Sequence, residues 1–161
     1  MDHLPIRAFV SFIALPGIFA VLAPPLVAVI DPWKKTLWGP GGFVMMAGAA
    51  ILFWCVYDFL VGGKGTLAPW DPPKRLVMIG PYRWMRNPMY AGVLLLVLGW
   101  GLFLSSPLLF FYTIMLAVGF HLRVVKYEEP WLKAQFGEQW EAYRREVPRW
   151  WPRRIPRQRD E

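Results

Sequence analysis

Cysteine is almost missing from this chain of 161 residues: Cys55 stands alone in an apolar segment, which excludes an intrachain disulfide framework and a cysteine-based metal site. Histidine is nearly as scarce. His3 and His121 are the only two, and with no HExxH or Cys/His cluster a metal centre is not expected. There is no GxSxG elbow and no P-loop pattern. The GxG inside the hairpin segment, Gly99-Trp100-Gly101, follows no strand pattern, so it fails as a nucleotide fingerprint and fits close helix packing or close approach of a ligand better. Acids are also few, 11 against 18 Lys plus Arg, for a net charge of +7. That balance would suit nucleic acid or an anionic surface, but in so apolar a chain basic residues chiefly mark one side of a membrane. Nucleic-acid binding by the basic stretch from Arg144 to Arg159 is not needed, because anionic lipid gives those residues an electrostatic role.

What the chain has in abundance is apolar surface, with 56% hydrophobic and 17% aromatic residues. Mean hydropathy is positive. One domain over 1–161 that lives in a bilayer is the expectation. Ala8 to Ile30 is 23 residues without a charge, enough to cross, and MDHLPIRAF lacks a convincing cleavage pattern, so this first helix is expected to be retained. Pro16-Gly17 and Pro24-Pro25 should bend or break it. A turn-rich loop, DPWKKTLWGPG, is expected simply to connect it to a second span, 42–61, in which Ala47, Gly48, Ala49 and Ala50 offer a small-residue strip. Asp58, near the end of that span, either meets headgroups or has a function.

Met89 to Leu122 is 34 residues with no acid or base except His121. A single helix of that length would be about 51 Å long, so the segment must fold back at Ser105-Ser106-Pro107 into a hairpin of spans 89–104 and 107–122. The expected fold is all-α and integral to the membrane, with about four spans (8–30, 42–61, 89–104, 107–122) and a cytosolic tail, 123–161, holding an amphipathic helix from Trp131 to Glu146. Of the 18 Lys plus Arg, the N-terminal segment has one, the 31–41 loop two, the 62–88 loop five and the tail ten. The positive-inside rule then places both termini and the 62–88 loop in the cytoplasm, that is, an inner-membrane or equivalent location.

This topology brings GPYRWMRNPMY, residues 80–90, to the same face as the segment from His121 to Glu129. Arg86, or backbone amides near Pro88, could hold a carboxylate, and Glu128 and Glu129 an ammonium group. Tyr82, Trp84 and Tyr90 could converge to cover a purine or a sulfonium. On a regular helix Lys126 and Glu129 can meet, and His121 and Glu128 share a face. Equally, acids and arginines at an interface can be solvated markers of topology.

The run GPYRWMRNPMYAG, then LGWG, SSP and YEEP, then FGEQWEAYRREVPRWWP, resembles the integral-membrane methyltransferase superfamily of isoprenylcysteine carboxyl methyltransferases and phospholipid N-methyltransferases. The resemblance covers Gly80 to Pro152. It implies S-adenosylmethionine as methyl donor, bound at the cytosolic ends of the hairpin and enclosed by the C-terminal segment, with a membrane lipid or lipidated substrate. The family's Arg-His-Pro-x-Tyr-x-Gly element falls on Arg86, Asn87, Pro88, Tyr90 and Gly92, with Asn87 in place of the usual His. Its double glutamate falls on Glu128 and Glu129, its Val-Pro-Arg-x-x-Pro closure on Val147, Pro148, Arg149 and Pro152, and a glycine pair more loosely on Gly99 and Gly101. The implied cofactor site is Tyr82, Arg86, Asn87, Pro88, Tyr90, Gly92, Gly99, His121, Glu128 and Glu129, with Glu129 and Arg149 as the catalytic residues. Asn-Pro-Met-Tyr and Glu-Glu-Pro look closer to the phospholipid branch, the Phe-Gly…Val-Pro-Arg tail closer to the carboxyl branch. Two other readings stand beside this one: an NADPH-dependent membrane reductase of sterol type, with the tail arginines on the 2′-phosphate, and a non-catalytic membrane partner protein.

Overall fold

The computed structural model describes residues 13–35, 40–63 and 75–153, and among them every regular element is helical. Helix α1 begins as a π-helix, Ile13–Leu22, and continues as an α-helix, Ala23–Ile30. The expected start at Ala8 lies outside the described residues. The expected break does not occur: Pro24 and Pro25 open the α-helical part, where a missing N–H leaves no regular α bond unmade, and the chain changes register instead of stopping. Helix α2 is Gly41–Asp58, extended by a π turn, Phe59–Gly63. Helices α3, Pro88–Leu104, and α4, Pro107–Arg123, form the hairpin.

Helix α4 does not end at the expected boundary. A π turn, Val124–Glu128, joins it to α5, Glu129–Glu146, so the chain runs without a loop from Pro107 to a kink at Gly137 and resumes as helix to Glu146. The wide turn precedes Pro130, which has no N–H to offer the carbonyl four residues back. Gly41–Asp58 and Pro107–Glu146 are long and apolar enough to cross a membrane, and Gly17–Ile30 and Pro88–Leu104 are shorter apolar helices.

All four apolar helices meet in one core, with Ala20 from α1, Leu52 from α2, Val93 and Val97 from α3, and Leu116 and Phe120 from α4. The outside is apolar too: Leu26, Val29, Phe43, Phe111 and Ile114 are exposed. This is the surface of a membrane protein.

The closest packing is between α2 and α3, and it is backbone on backbone. A Cβ on Gly48 would lie 2.8 Å from the Gly92 carbonyl oxygen, and one on Gly99 would lie 2.7 Å from the Met45 nitrogen and 2.9 Å from the Gly41 oxygen. The small-residue strip thus resolves to Gly41 and Gly48, which are buried, while Ala47 and Ala50 face outward. Gly101 serves a different neighbour, since its Cβ would meet the Phe110 ring of α4 at 3.3 Å.

The far end of the hairpin is closed by a residue expected only to lie in a connector. Asp31 is buried, and its Oδ2 accepts from the Ser106 hydroxyl and from the Leu108 N–H, 3.3 Å away, while Oδ1 accepts from the Trp33 N–H at 2.9 Å. Ser106 caps α4 by accepting from the Leu109 N–H. The preceding Ser105 takes the left-handed turn conformation, φ 42°.

Gly99→Val should force α2 and α3 apart and lower stability by roughly 1–3 kcal/mol. Gly42→Ala, where a Cβ meets nothing within 4 Å, should be neutral or slightly stabilising. Thermal unfolding in detergent checks both, and equal midpoints for the two variants would contradict the seam.

Candidate functional site

The site begins at a glycine that no other residue could replace without strain. Gly80 has φ +53°, and a Cβ there would collide with Asp58 Oδ2 and lie 2.8 Å from Trp54 Nε1. Asp58 is therefore neither at the headgroups nor in the cluster below: it is buried under the start of the loop, and its Oδ2 has no hydrogen-bond partner among the described residues. A 3-10 turn, Gly80–Arg83, follows, and Pro88, fully buried, opens α3 one residue after Asn87.

Arg86 and Glu129, 43 residues apart, form an ion pair of 2.9 Å in which the side chains keep only 8% and 12% exposure. Arg149 grips the same carboxylate with two bonds, Nε to Oε1 at 2.6 Å and Nη2 to Oε2 at 2.9 Å. The segment carrying Arg149 is fixed by the backbone on either side: the Arg86 N–H donates to the Pro148 oxygen at 2.9 Å, and Asn87 Nδ2 donates to the Arg149 oxygen at 3.1 Å. Asn87 thus does here, as a donor, something that needs no protonatable ring.

Burial alone would raise the pKa of Glu129, but the hydrogen bond from Arg149 and the charges of Arg86, Arg149 and Arg144 outweigh it and hold the carboxyl below its ordinary value. For Arg86 burial dominates and lowers the pKa, with Glu129 opposing it. For Arg149 the bond to Glu129 raises it.

Glu128 has different company. Its Oε1 accepts from the Tyr90 hydroxyl and from Arg123 Nε, the latter at 2.8 Å, and its side chain is 31% exposed. Arg123 and Glu128 are five apart, which an α-helix would separate; the π turn brings them together. Tyr90 packs on Phe120 at 4.4 Å between centroids and lies 6.5 Å from Trp150, whose Nε1 donates to His121 Nδ1 at 3.1 Å. His121 and Glu128 do face one corner, by way of that π turn.

Three expectations are corrected. Glu129 pairs with Arg86 and Arg149 in place of Lys126. Tyr82, Trp84 and Tyr90 do not converge: Tyr82 is buried against Phe59 and Cys55, Trp84 meets Trp54 edge-on at 5.9 Å, and only Tyr90 enters the cluster. Gly92 and Gly99 pack against α2 and line no part of the cluster, since the close approach they allow is to the backbone of that helix.

Sequence reasoning also passed over the support beneath Arg86. Trp140 lies under its guanidinium, 5.2 Å from ring centroid to carbon, and the Tyr143 hydroxyl donates to the Tyr82 oxygen at 2.7 Å. The three-residue spacing of Trp140 and Tyr143 in the polar second half of α5 was the available signal. Arg86 Nε and Trp140 Nε1 are buried and without hydrogen-bond partners among the described residues.

A model of the phospholipid methyltransferase family (PEMT) matches residues 40–139, from α2 into α5. The chain belongs to this family. Neither a curated protein nor a solved structure matches the chain. The family match includes Arg86, Asn87, Tyr90, Glu128 and Glu129 but stops ten residues before Arg149.

Because the folded-state pKa of Glu129 is depressed, its contribution to stability is complete above the unfolded glutamate value and is lost as pH falls through the folded one. Glu129→Gln leaves Arg86 buried without its anion and should cost roughly 2–3 kcal/mol, below the figure for a fully enclosed pair because Arg149 is partly solvated. The variant should also flatten the acid limb of the stability profile, as read by unfolding midpoints from about pH 7 to about pH 3. An unchanged acid limb would remove Glu129 as its source.

Proposed function

We propose that this protein transfers a methyl group from S-adenosylmethionine to a lipid or lipidated acceptor at the cytosolic face of the membrane. The acceptor class is an isoprenylcysteine-type carboxylate or a phospholipid amine. The arrangement goes with four spans, both termini and the 62–88 loop being cytosolic. The observation that carries the proposal is the pairing of two adjacent glutamates with three arginines at one end of the hairpin, Glu129 with Arg86 and Arg149 and Glu128 with Arg123, beside Tyr90 and Trp150.

The donor set fits a zwitterionic sulfonium. Arg86 and Arg149 suit its carboxylate, Glu129 its ammonium group, and Tyr90 and Trp150 its sulfonium by cation–π attraction. The orphaned N–H groups of Arg86 and Trp140 are buried donors that a ligand acceptor could satisfy. When bound, the cofactor supplies the activated methyl group.

The protein's task is alignment and exclusion of water, effects worth at best roughly 7–11 kcal/mol. Arg149, held by Asn87 through its backbone, and Arg86 orient the ligand at Glu129. An amine acceptor must lose a proton, and Glu128 suits this better than Glu129, because it faces one partly exposed arginine where Glu129 faces two. A carboxylate acceptor needs no base.

Calorimetry in detergent tests the reading. Wild-type protein should bind S-adenosylmethionine and not NADPH, and Arg86→Ala and Glu129→Gln should each weaken binding by roughly 10- to 100-fold, the equivalent of one charge-assisted hydrogen bond. Wild-type affinity in both variants would take these residues out of the site, and binding of NADPH in place of S-adenosylmethionine would overturn the function.

A further inference from the structure

The residues that hold the cluster shut all come from one short stretch. Beyond Gly137 the chain supplies Trp140 under Arg86, Tyr143 to the Tyr82 carbonyl, Pro148 to the Arg86 amide, Arg149 to Glu129 and Trp150 to His121. The last tie is the Arg153 N–H to the Trp84 oxygen at 3.0 Å. Behind this stretch Arg86 and Glu129 have almost no contact with solvent, at 8% and 12% side-chain exposure. The stretch thus lies over both groups and limits access to them.

Gly137 itself has a backbone no other position of α5 shares, φ 49° and ψ −120°, inside a run of helix. L-residues rarely adopt that conformation. A Cβ there would meet nothing within 4 Å among the described residues. Phe136 and Gln139, which flank it, border an open cleft of about 330 Å³ that also runs past Gly62 and residues 75–79. There is free space beside the bend.

The buried apolar residues of the stretch, Trp140, Tyr143 and Val147, cluster with Leu76, Leu132 and Phe136, apart from the core shared by α1 to α4, against which only the partly buried Trp150 of the stretch packs. Separate small clusters of this kind can open while the main core stays folded. The remaining ties are polar and exchangeable for water or for ligand groups.

We propose that residues 138–153 form a strap hinged at Gly137, which swings away to admit a ligand to Arg86 and Glu129 and is held shut by the Arg149–Glu129 pair. A ligand bearing both an ammonium and a carboxylate replaces both partners of that pair at once, so it enters without leaving a buried charge uncompensated. The choice of ligand rests on the methyl-transfer reading; the hinge does not.

The test locks the strap with its own backbone contact. Trp84→Cys and Arg153→Cys together place two thiols where the Arg153 amide meets the Trp84 carbonyl, with the buried Cys55 left in place. Binding of labelled S-adenosylmethionine to the oxidised protein should be slowed by about tenfold or more, with reduction restoring the wild-type rate. Equal rates in the oxidised and reduced forms overturn the strap. A second measurement needs no ligand and no variant: amide hydrogen exchange in wild-type protein at Arg86 and Arg153, whose N–H groups tie strap to loop. Both amides should exchange together and faster than those of α3 and α4, and Gly137→Ala should alter both without altering the helices. Exchange as slow as that of the bundle overturns the hinge. Collective fast exchange with no binding of S-adenosylmethionine in either redox form retains the hinge and removes the cofactor reading.

Discussion

Glu129 is one carboxylate serving two arginines, and the end of the molecule opposite Ser106 is organised by that shortage of negative charge. Arg86 comes from the loop before α3, Arg149 from the stretch after α5, and Glu129 from the first residue of α5. Three pieces of chain far apart in sequence are held by a single group. Burial makes this costly unless the geometry is good, and the bidentate grip of Arg149 with the Trp140 ring under Arg86 supplies it. Arginine is required in both places, since a lysine offers neither the fork nor the flat face.

The two ends of the hairpin obey one rule with different charges. At the Ser106 end, Asp31 satisfies the first turn of α4 with neutral donors, a hydroxyl and backbone N–H groups. At the opposite end Tyr90 and Arg123 satisfy Glu128. Between them the helices contribute almost nothing polar and approach so closely that glycine is needed at Gly48 and Gly99. Polar ties at the ends fix where along the axis the apolar helices sit, a matter on which apolar packing by itself is permissive.

Much of this was legible in the sequence. The uncharged run from Met89 to Leu122 with its serine–proline interruption dictates a hairpin, and the structure turns at Ser105 and Ser106 within one residue of the expected ends. The meeting of the Arg86 and Glu129 segments followed from placing them on one face. What stayed hidden depended on helix register and on tertiary partners. Regular 3.6-residue geometry pairs Lys126 with Glu129, and only the π turn rotates the glutamates toward other neighbours. The divergence of Tyr82, Trp84 and Tyr90 arises because the 3-10 turn lays Tyr82 and Trp84 against α2 and its π extension, while Tyr90 rides on α3 toward Phe120 and Glu128, which aromatic content does not reveal. Asp31 looked like part of a connector because its partner, Ser106, is 75 residues away.

The absence of a loop between α4 and α5 has a mechanical meaning. The apolar outer stripe of α4, Phe111, Ile114, Met115, Val118, Leu122 and Val125, is followed within one turn by the two glutamates, with helix throughout. A flexible connector would absorb a change in the tilt of α4, whereas a continuous rod works as a lever. Because the glutamates ride on the same helical run as that stripe, a change in the tilt of α4, such as a thicker or thinner bilayer would impose, would bear directly on their contacts with Tyr90 and Arg86.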